Sequence, residues 1–352
     1  MSTPIATDST RIAADGLCDW ARQAFTAVGM LPEDATLLAT SLVQTSLWGV
    51  DTHGVARLPH YLERLTRGSI KARPAPRVER TGPCTAQFHA DQGHGIVMAH
   101  RANRVAMEMA RENGIGAVGV DDSSHCGAIG LYTREAAREG FVAFAFTHAD
   151  SIAAPHAGER PFFGTNPISI AFPREGAEPA CLDMATTSIP WNRVMNARRE
   201  GHALPSDVAI DDHGQPTTDA QAAIAVTPLG GAGYGHKGYA MALIVDLLCG
   251  PLNAAPFGPN IPAMFGDLDA PRRIGAFFIV IDPQRFAGGT MLAATVAQMA
   301  LALAAEPGAP KMPGDPELAH AAQRQRDGIP IEPVLAEQLR GWSTRLRLPA
   351  PL

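Results

Sequence analysis

Apolar residues recur every three or four positions from residue 9 to 30 (Ile12, Leu17, Trp20, Ala21, Phe25, Val28) and again from 32 to 47, where Pro32-Glu33-Asp34 opens the run. This is the spacing of helices with one buried face, the second started by proline and an acidic first turn. A shorter helical tail reaches Leu65, and Arg73-Pro74-Ala75-Pro76 then interrupts the pattern, which marks a domain boundary. Beyond it the pattern predicts a strand over 85–90, a long helix over 95–113, and a strand of small apolar residues over 115–120. A polar loop follows at 121–127, then a helix over 129–138 and a strand over 141–147. Segments 168–172 and 180–185 are also strand-like, separated only by turn residues. Neighbouring strands without a helix between them predict a mixed or largely antiparallel sheet rather than a doubly wound one.

Residues 191–221 are polar and aperiodic, which predicts a long surface excursion. The pattern then gives a strand at 222–226, a helix at 237–248, a strand at 276–281, and helices at 291–305 and 316–326. The fold expected is therefore α+β, with helical chain ends around a sheet-containing middle. No internal repeat or low-complexity tract interrupts it.

Length and composition narrow the function classes. A chain of 352 residues suits two domains and can bury a large core. Its hydrophobic fraction of 46%, charged fraction of 18% and formal net charge of -6 describe a soluble globular protein. They argue against a nucleic-acid partner, which would favour a basic surface. The apolar stretch 291–305 is shorter than the roughly 20 residues that span a bilayer, so a buried helix is expected and no membrane partner. Five cysteines lie scattered without a CxxC spacing behind an N-terminus with no charged and apolar leader, which predicts a cytoplasmic protein with free thiols.

Three stretches carry candidate chemistry. The segment Ile115 to Gly140 has the form strand, loop, helix, and His125 stands in the loop among small residues, where rigid elements hold both ends of a site. In Thr52-His53-Gly54-Val55-Ala56-Arg57-Leu58-Pro59-His60-Tyr61, residues His53, Arg57 and Tyr61 recur every fourth position and would share one helix face. Histidine exchanges a proton near neutral pH and arginine offers a planar fork to a carboxylate. Gly54 and Pro59 oppose a regular helix there, and a surface histidine beside an ion-paired arginine is the plainer reading of the same spacing. The third stretch, Gly230 to Gly238, is no Walker A loop, because Lys237 lies between His236 and Gly238. It matches GxGxxG before a helix but lacks the acidic residue about 20 positions on, so it fails as a Rossmann fingerprint. Amides at a helix start beside Lys237 still suit a pyrophosphate or carboxylate, as readily as the segment suits a plain turn. His125 beside Cys126 also raises a thiolate nucleophile or a metal site, although neither HExxH nor GxSxG is present.

Taken together, the chain resembles the type-2 malate/L-lactate dehydrogenases, a family that includes sulfolactate and ureidoglycolate dehydrogenases, diketogulonate reductase and a cyclic-imine reductase. The matching segments are Thr52 to Arg57 with Tyr61, Ser123-Ser124-His125-Cys126-Gly127-Ala128, the run from Phe163 to Pro173, Leu182 to Ser188, Lys237-Gly238, and Met312 to Glu317 with Gly328-Ile329-Pro330. They follow one another in family order from about residue 10 to 340.

The resemblance implies an NAD(P)-dependent oxidoreductase with a non-Rossmann mixed, largely antiparallel sheet flanked by helices. Residues 76–284 would form the NAD(P)-binding α+β domain, and residues 1–75 with 285–352 a helical domain. The active unit would be a homodimer. His53, His125 and Asp150 are the implied catalytic residues, and Thr52, Arg57 and Tyr61 the substrate-binding ones. Cofactor contacts would fall on Ser123, Asp183, Met184, Ala185, Thr186, Thr187, Ser188, Lys237, Gly238, Gly314, Asp315 and Pro316. The cofactor would be NAD or NADP, with NAD favoured, and no metal is expected. The substrate would be a small 2-hydroxy acid (malate, lactate or ureidoglycolate type) and its 2-oxo acid. Alternatives are reduction of a cyclic imine acid of the piperideine-2-carboxylate type, a metal-dependent hydrolase using His53, His125 and Cys126, and a silent binding protein. Asp121-Asp122, Pro155-His156-Ala157-Gly158 and Asn192-Arg193 depart from the family pattern and bear on which substrate is taken.

Overall fold

The computed structural model describes residues 10–351; Ser9 and the other residues of 1–9, where the first expected helix begins, lie outside that range, as does Leu352. In chain order the elements are β1 (Thr10–Ile12), α1 (Ala14–Ala27), α2 (Pro32–Leu47), α3 (Leu58–Arg67), β2 (Arg77–Arg80), β3 (Thr85–His89), α4 (Gly95–Asn113), β4 (Ile115–Ser123), α5 (Gly130–Arg138), β5 (Val142–Thr147), β6 (Ile168–Phe172) and β7 (Ala180–Met184). There follow α6 (Trp191–Glu200), β8 (Ala209–Ile210), β9 (Ala225–Val226), α7 (Gly231–Cys249), β10 (Ile274–Ile281), α8 (Gly289–Ala305), α9 (Asp315–Asp327), β11 (Ile329–Ile331) and α10 (Pro333–Leu346).

Seven strands form the central sheet in the order β2-β3-β4-β10-β5-β6-β7. Only β3 and β4, joined through α4, run parallel; the other pairs are antiparallel. This is the mixed, largely antiparallel sheet expected. Strand β10, late in the chain, enters its centre, with Phe278 opposite Val118 on one side and Ala145 on the other. The small residues of β4 have a steric cause. A Cβ on Gly116 would lie 2.1 Å from the Ala106 carbonyl of α4, and one on Gly119 would lie 1.9 Å from Asn253 Oδ1.

The chain ends meet through the β1–β11 pair and a hydrogen bond from Trp20 Nε1 to Ser343 Oγ at 2.9 Å. A continuous apolar core runs from Leu17, Phe25 and Leu38 in the terminal helices to Val118 and Phe278 in the sheet. A smaller cluster, including Phe163, Val194 and Val226, lies under the segment after β5.

Two expectations are corrected. The stretch 191–221 is not irregular throughout: it opens with α6, which buries only Val194 and Ala197 and therefore leaves almost no periodic signal. Arg198 secures it, donating from Nε to the Ala220 carbonyl at 2.7 Å and lying over the Trp191 ring. The glycine-rich stretch is likewise not a loop ahead of a helix. Helix α7 begins at Gly231, so Gly233, Gly235 and Gly238 lie within it. Gly238 is needed for packing, since a Cβ there would sit 2.4 Å from the Leu229 nitrogen.

Candidate active site

Residues 51–57 form two short 3-10 turns, Asp51–His53 and Val55–Arg57, rather than part of one helix. They fold this way because Gly54 lies against α2, where a Cβ would come within 2.1 Å of Ser46 Oγ and 2.8 Å of the Ser46 nitrogen. Ser46 Oγ accepts from the Val55 N–H at 2.9 Å, and the buried Arg324 donates to Asp51 Oδ2 at 2.9 Å. His53, Arg57 and Tyr61 still converge, although not through regular helical spacing. The loop after β4 is equally constrained. Ser124 Oγ accepts from the Gly95 N–H at 2.7 Å, and a Cβ on Gly95 would lie 2.2 Å from the Ser124 carbonyl.

These two segments bring the predicted proton carriers together. The His53 and His125 rings stack at 5.4 Å between centroids and 29° between planes. His125 Nδ1 shares a 2.6 Å hydrogen bond with the Tyr61 hydroxyl, and His53 Nδ1 shares one of 2.9 Å with Thr52 Oγ1. Because a hydroxyl both donates and accepts, Tyr61 leaves His125 Nε2 able to hold either a proton or a lone pair. Arg57 donates from Nε to the Thr52 carbonyl at 2.6 Å. Its guanidinium lies 5.5 Å from the Phe265 ring centre. Among the described residues it has no carboxylate partner, and its terminal nitrogens are left for a ligand.

Electrostatics keep these groups poised. Burial, reinforced by the Arg57 charge, lowers His53 from 6.5 to about 4. Burial, then His53 and Arg57, holds His125 well below the usual imidazole range. His60 falls to about 3 through burial and the neighbouring Arg64. Tyr61 is shifted up by burial and stays a hydroxyl. All three imidazoles are therefore neutral near pH 7, the form that accepts a proton.

Asp150 joins the same cluster. Its Oδ2 accepts from the Met264 N–H at 3.1 Å and its Oδ1 pairs with Arg272. Sequence reasoning missed Arg272, His60 and Phe265. Asp150 and Arg272 are 122 positions apart, and no spacing rule connects them.

Beside His53 opens a cavity of about 220 Å³. Thr52, His53, Asp183, Met184 and Ala185 line it, so expected substrate and cofactor residues share one space. Asp183 Oδ2 accepts from the Gly130 N–H at 2.8 Å, at the start of α5. Two further lining residues were not foreseen, Arg134 and Glu317. Arg134 is 3% exposed, and its Nη1 and the Glu317 Oε2 are buried without a hydrogen-bond partner. An unpaired donor and an unpaired acceptor buried in the wall of a cavity also lined by Gly127, Ala128 and Gly130 fit a polar ligand such as a dinucleotide.

The other expected cofactor residues do not line this cavity. Thr186, Thr187 and Ser188 spend their hydroxyls on the carbonyls of Thr165, Ile189 and Pro228 at 2.7–3.0 Å, tying the chain after β7 to the segment before α7. Lys237 is exposed over the Tyr234 ring. Gly314, at φ 99°, packs on Arg134, while Asp315 pairs with Arg174 at 2.8 Å and Pro316 is exposed in the first turn of α9. Ser123 is buried at the end of β4, opposite Ile274, and does not line the cavity.

Cys126 is buried, which pushes its thiol up to about 11, unlike a reactive thiolate. Among the described residues no group of three or more His, Cys, Asp or Glu is placed to hold a metal ion, and no helix is long and apolar enough to cross a membrane.

Comparison with known proteins places these features. A family model described as malate/L-lactate dehydrogenase matches residues 12–340. The chain is 37% identical over 263 residues to ureidoglycolate dehydrogenase (NAD(+)) of Escherichia coli K12, covering 75% of this chain and 74% of the relative. It is 33% identical over 325 residues to (2R)-3-sulfolactate dehydrogenase (NADP(+)) of Chromohalobacter salexigens, covering 91% and 94%. The crystal structure of malate dehydrogenase from Entamoeba histolytica superposes with a TM-score of 0.92 at 27% identity, covering 98% of this chain and 100% of the other.

Proposed function

The chain belongs to the malate/L-lactate dehydrogenase family and is an NAD(P)-linked hydroxy-acid dehydrogenase; on that premise we propose that it interconverts a small 2-hydroxy acid and its 2-oxo acid with histidine acid/base catalysis. The observation that carries this reading is the convergence of the stacked His53 and His125, the Tyr61 hydroxyl and the unspent Arg57 fork, with His53 itself lining the cavity that Asp183, Met184 and Ala185 share. A bound nicotinamide supplies or accepts the hydride, chemistry no side chain offers. Asp183, Met184, Ala185, Arg134 and Glu317 would hold the cofactor. Arg57 clamps the substrate carboxylate through its terminal nitrogens. In the oxidation direction His125 accepts the hydroxyl proton at Nε2 while Tyr61 steadies Nδ1; His53 is the second candidate for that role. Asp150 acts at one remove, through Arg272 and the Met264 backbone. NAD is the proposed cofactor.

Helix α8 supports a homodimer. Contrary to the buried helix expected from its apolar run, it buries none of its side chains in this chain and exposes Met291, Met299 and Leu301, the last by 72%. A face so apolar requires cover. We also assign both chain ends to a helical unit and the middle to the cofactor-binding unit, and place the enzyme in the cytoplasm.

The test follows nicotinamide absorbance with purified, EDTA-treated protein, NAD(H) or NADP(H), and a panel of 2-hydroxy and 2-oxo acids with one cyclic imine acid. Turnover of a hydroxy acid or its oxo acid is expected. Turnover confined to the imine would replace the reaction, and activity only after metal addition would overturn the scheme.

A further inference from the structure

Three guanidinium groups surround the end of the site formed by His60 and Phe265, and their partners differ. Arg64 is 1% exposed and fully engaged. Its Nε donates to His60 Nε2 at 3.1 Å, Nη1 to Ser69 Oγ at 3.3 Å and the Ala270 carbonyl at 3.1 Å, and Nη2 to the Met264 carbonyl at 2.9 Å. Arg272, 2% exposed, donates from Nε to the Pro262 carbonyl at 2.8 Å and from Nη2 to Asp150. Arg57 alone keeps both terminal nitrogens unspent and has no carboxylate partner among the described residues. Asp150 and Arg57 close on the same loop, since Met264 bonds to Asp150 and the adjacent Phe265 ring covers Arg57.

Summed over the site, Arg272 and Asp150 cancel, Arg64 is turned onto backbone carbonyls, and the surrounding imidazoles are neutral. Arg57 and Arg64 both lack a carboxylate within ion-pair distance among the described residues, but the terminal nitrogens of Arg64 are already spent, so Arg57 is the cation left free to grip an anion. A buried, paired arginine offers little to a second anionic group, and a carboxylate already in place repels it.

We propose that the substrate carries a single anionic group, the 2-hydroxy acid carboxylate itself, with an uncharged substituent at the other end. Asp150 is then the specificity residue that, by neutralising Arg272, rejects dicarboxylates and sulfonated acids. This rests on the hydroxy-acid reading of the site.

The test compares kcat/KM for lactate, malate and the β-monoamide of malate, with the corresponding 2-oxo acids in the reverse direction. The monoamide has the size of malate without its second charge, so size and charge are separated. In the unaltered enzyme the monoamide should exceed malate by about 100-fold. Asp150→Asn frees the Arg272 charge and should raise malate by about 10-fold or more while the monoamide does not gain. Preference for malate over its monoamide in the unaltered enzyme overturns the proposal. So does a folded Asp150→Asn variant whose malate-to-monoamide ratio is unchanged. If Asp150→Asn fails to fold, competition by lactate, malate and the monoamide against the best substrate of the unaltered enzyme decides: tighter inhibition by malate overturns the proposal. Turnover of no hydroxy or oxo acid of either charge removes the dehydrogenase reading itself, an outcome distinct from turnover with the wrong charge preference.

Discussion

Tyr61→Phe removes one oxygen from the centre of the site and separates the two histidines as proton carriers. The hydroxyl lies 2.6 Å from His125 Nδ1 in a side chain 1% exposed, and the other neighbour of that nitrogen, the Gly127 N–H, stands at 3.4 Å, beyond good hydrogen-bond length. Phenylalanine keeps the ring that packs edge-on against His94 at 4.4 Å, so the fold should survive. During oxidation His125 becomes an imidazolium, and a bond to a charged partner is roughly twice as strong as a neutral one. Neutral bonds are worth about 1 kcal/mol net and charged ones about 1.5–3 kcal/mol. The change between ground and transition state is therefore about 1–2 kcal/mol, which lowers kcat about 10-fold. KM for the carboxylate should stay near its original value, because Arg57 is untouched. Steady-state nicotinamide absorbance read over a range of substrate concentrations gives both constants, with circular dichroism to confirm folding. A kcat within about twofold of the unaltered enzyme would refute the assignment of the proton to His125 and leave it with His53. A raised KM at unchanged kcat would instead place the Tyr61 hydroxyl on the substrate.

Arg57→Lys replaces a fork that can grip a carboxylate twice by a single ammonium, and should raise KM about 10-fold with a smaller change in kcat; unchanged substrate dependence would remove Arg57 from the carboxylate. For alcohol oxidation the neutral imidazole is the working form, and His53 is lowered to about 4 and His125 below 6.5. The acid limb of kcat/KM should therefore lie near pH 4 if His53 is the base and well below 6.5 if His125 is, and a limb near 6.5 would mean an unperturbed histidine. The limb of kcat should lie higher, since a bound carboxylate offsets the Arg57 charge that helps lower both histidines. Gly54→Ala forces a Cβ to within 2.1 Å of Ser46 Oγ and 2.8 Å of the Ser46 nitrogen, and should cost about 1–3 kcal/mol, read as a lower denaturant midpoint, with loss of activity as the Asp51–His53 turn shifts.

What was legible in the sequence depended on how local each signal is. Strand β4, its loop and helix α5 could be read because small residues, then polar ones, then a helical period follow within one stretch, and His125 stands in that loop. The antiparallel character of the sheet was equally legible, since β6 and β7 follow without a helix between them. Helix α6 was not, because only Val194 and Ala197 turn inward and two positions make no period. In the 52–61 stretch the chemistry was legible and the geometry was not. A fourfold spacing suggested a helix, but the contact of Gly54 with Ser46, eight positions earlier, divides it into two turns.

The groups that tune the site belong to the non-local class. Arg272 reaches Asp150 across 122 positions, Arg64 reaches the Met264 carbonyl across 200, and Arg134 and Glu317 come to the same cavity from distant parts of the chain. Each arginine lies in a sequence context that equally suits a surface cation, and burial alone distinguishes it. Residues that perform the proposed chemistry sit in short segments whose backbones are held by small neighbours, and those leave a mark in the sequence. The proposed selector pair, Arg272 with Asp150, is brought together only by the tertiary fold. On the proposed charge selection, a change at Asp150 or Arg272 that leaves His53, Arg57 and His125 in place would alter the charge of the acid accepted.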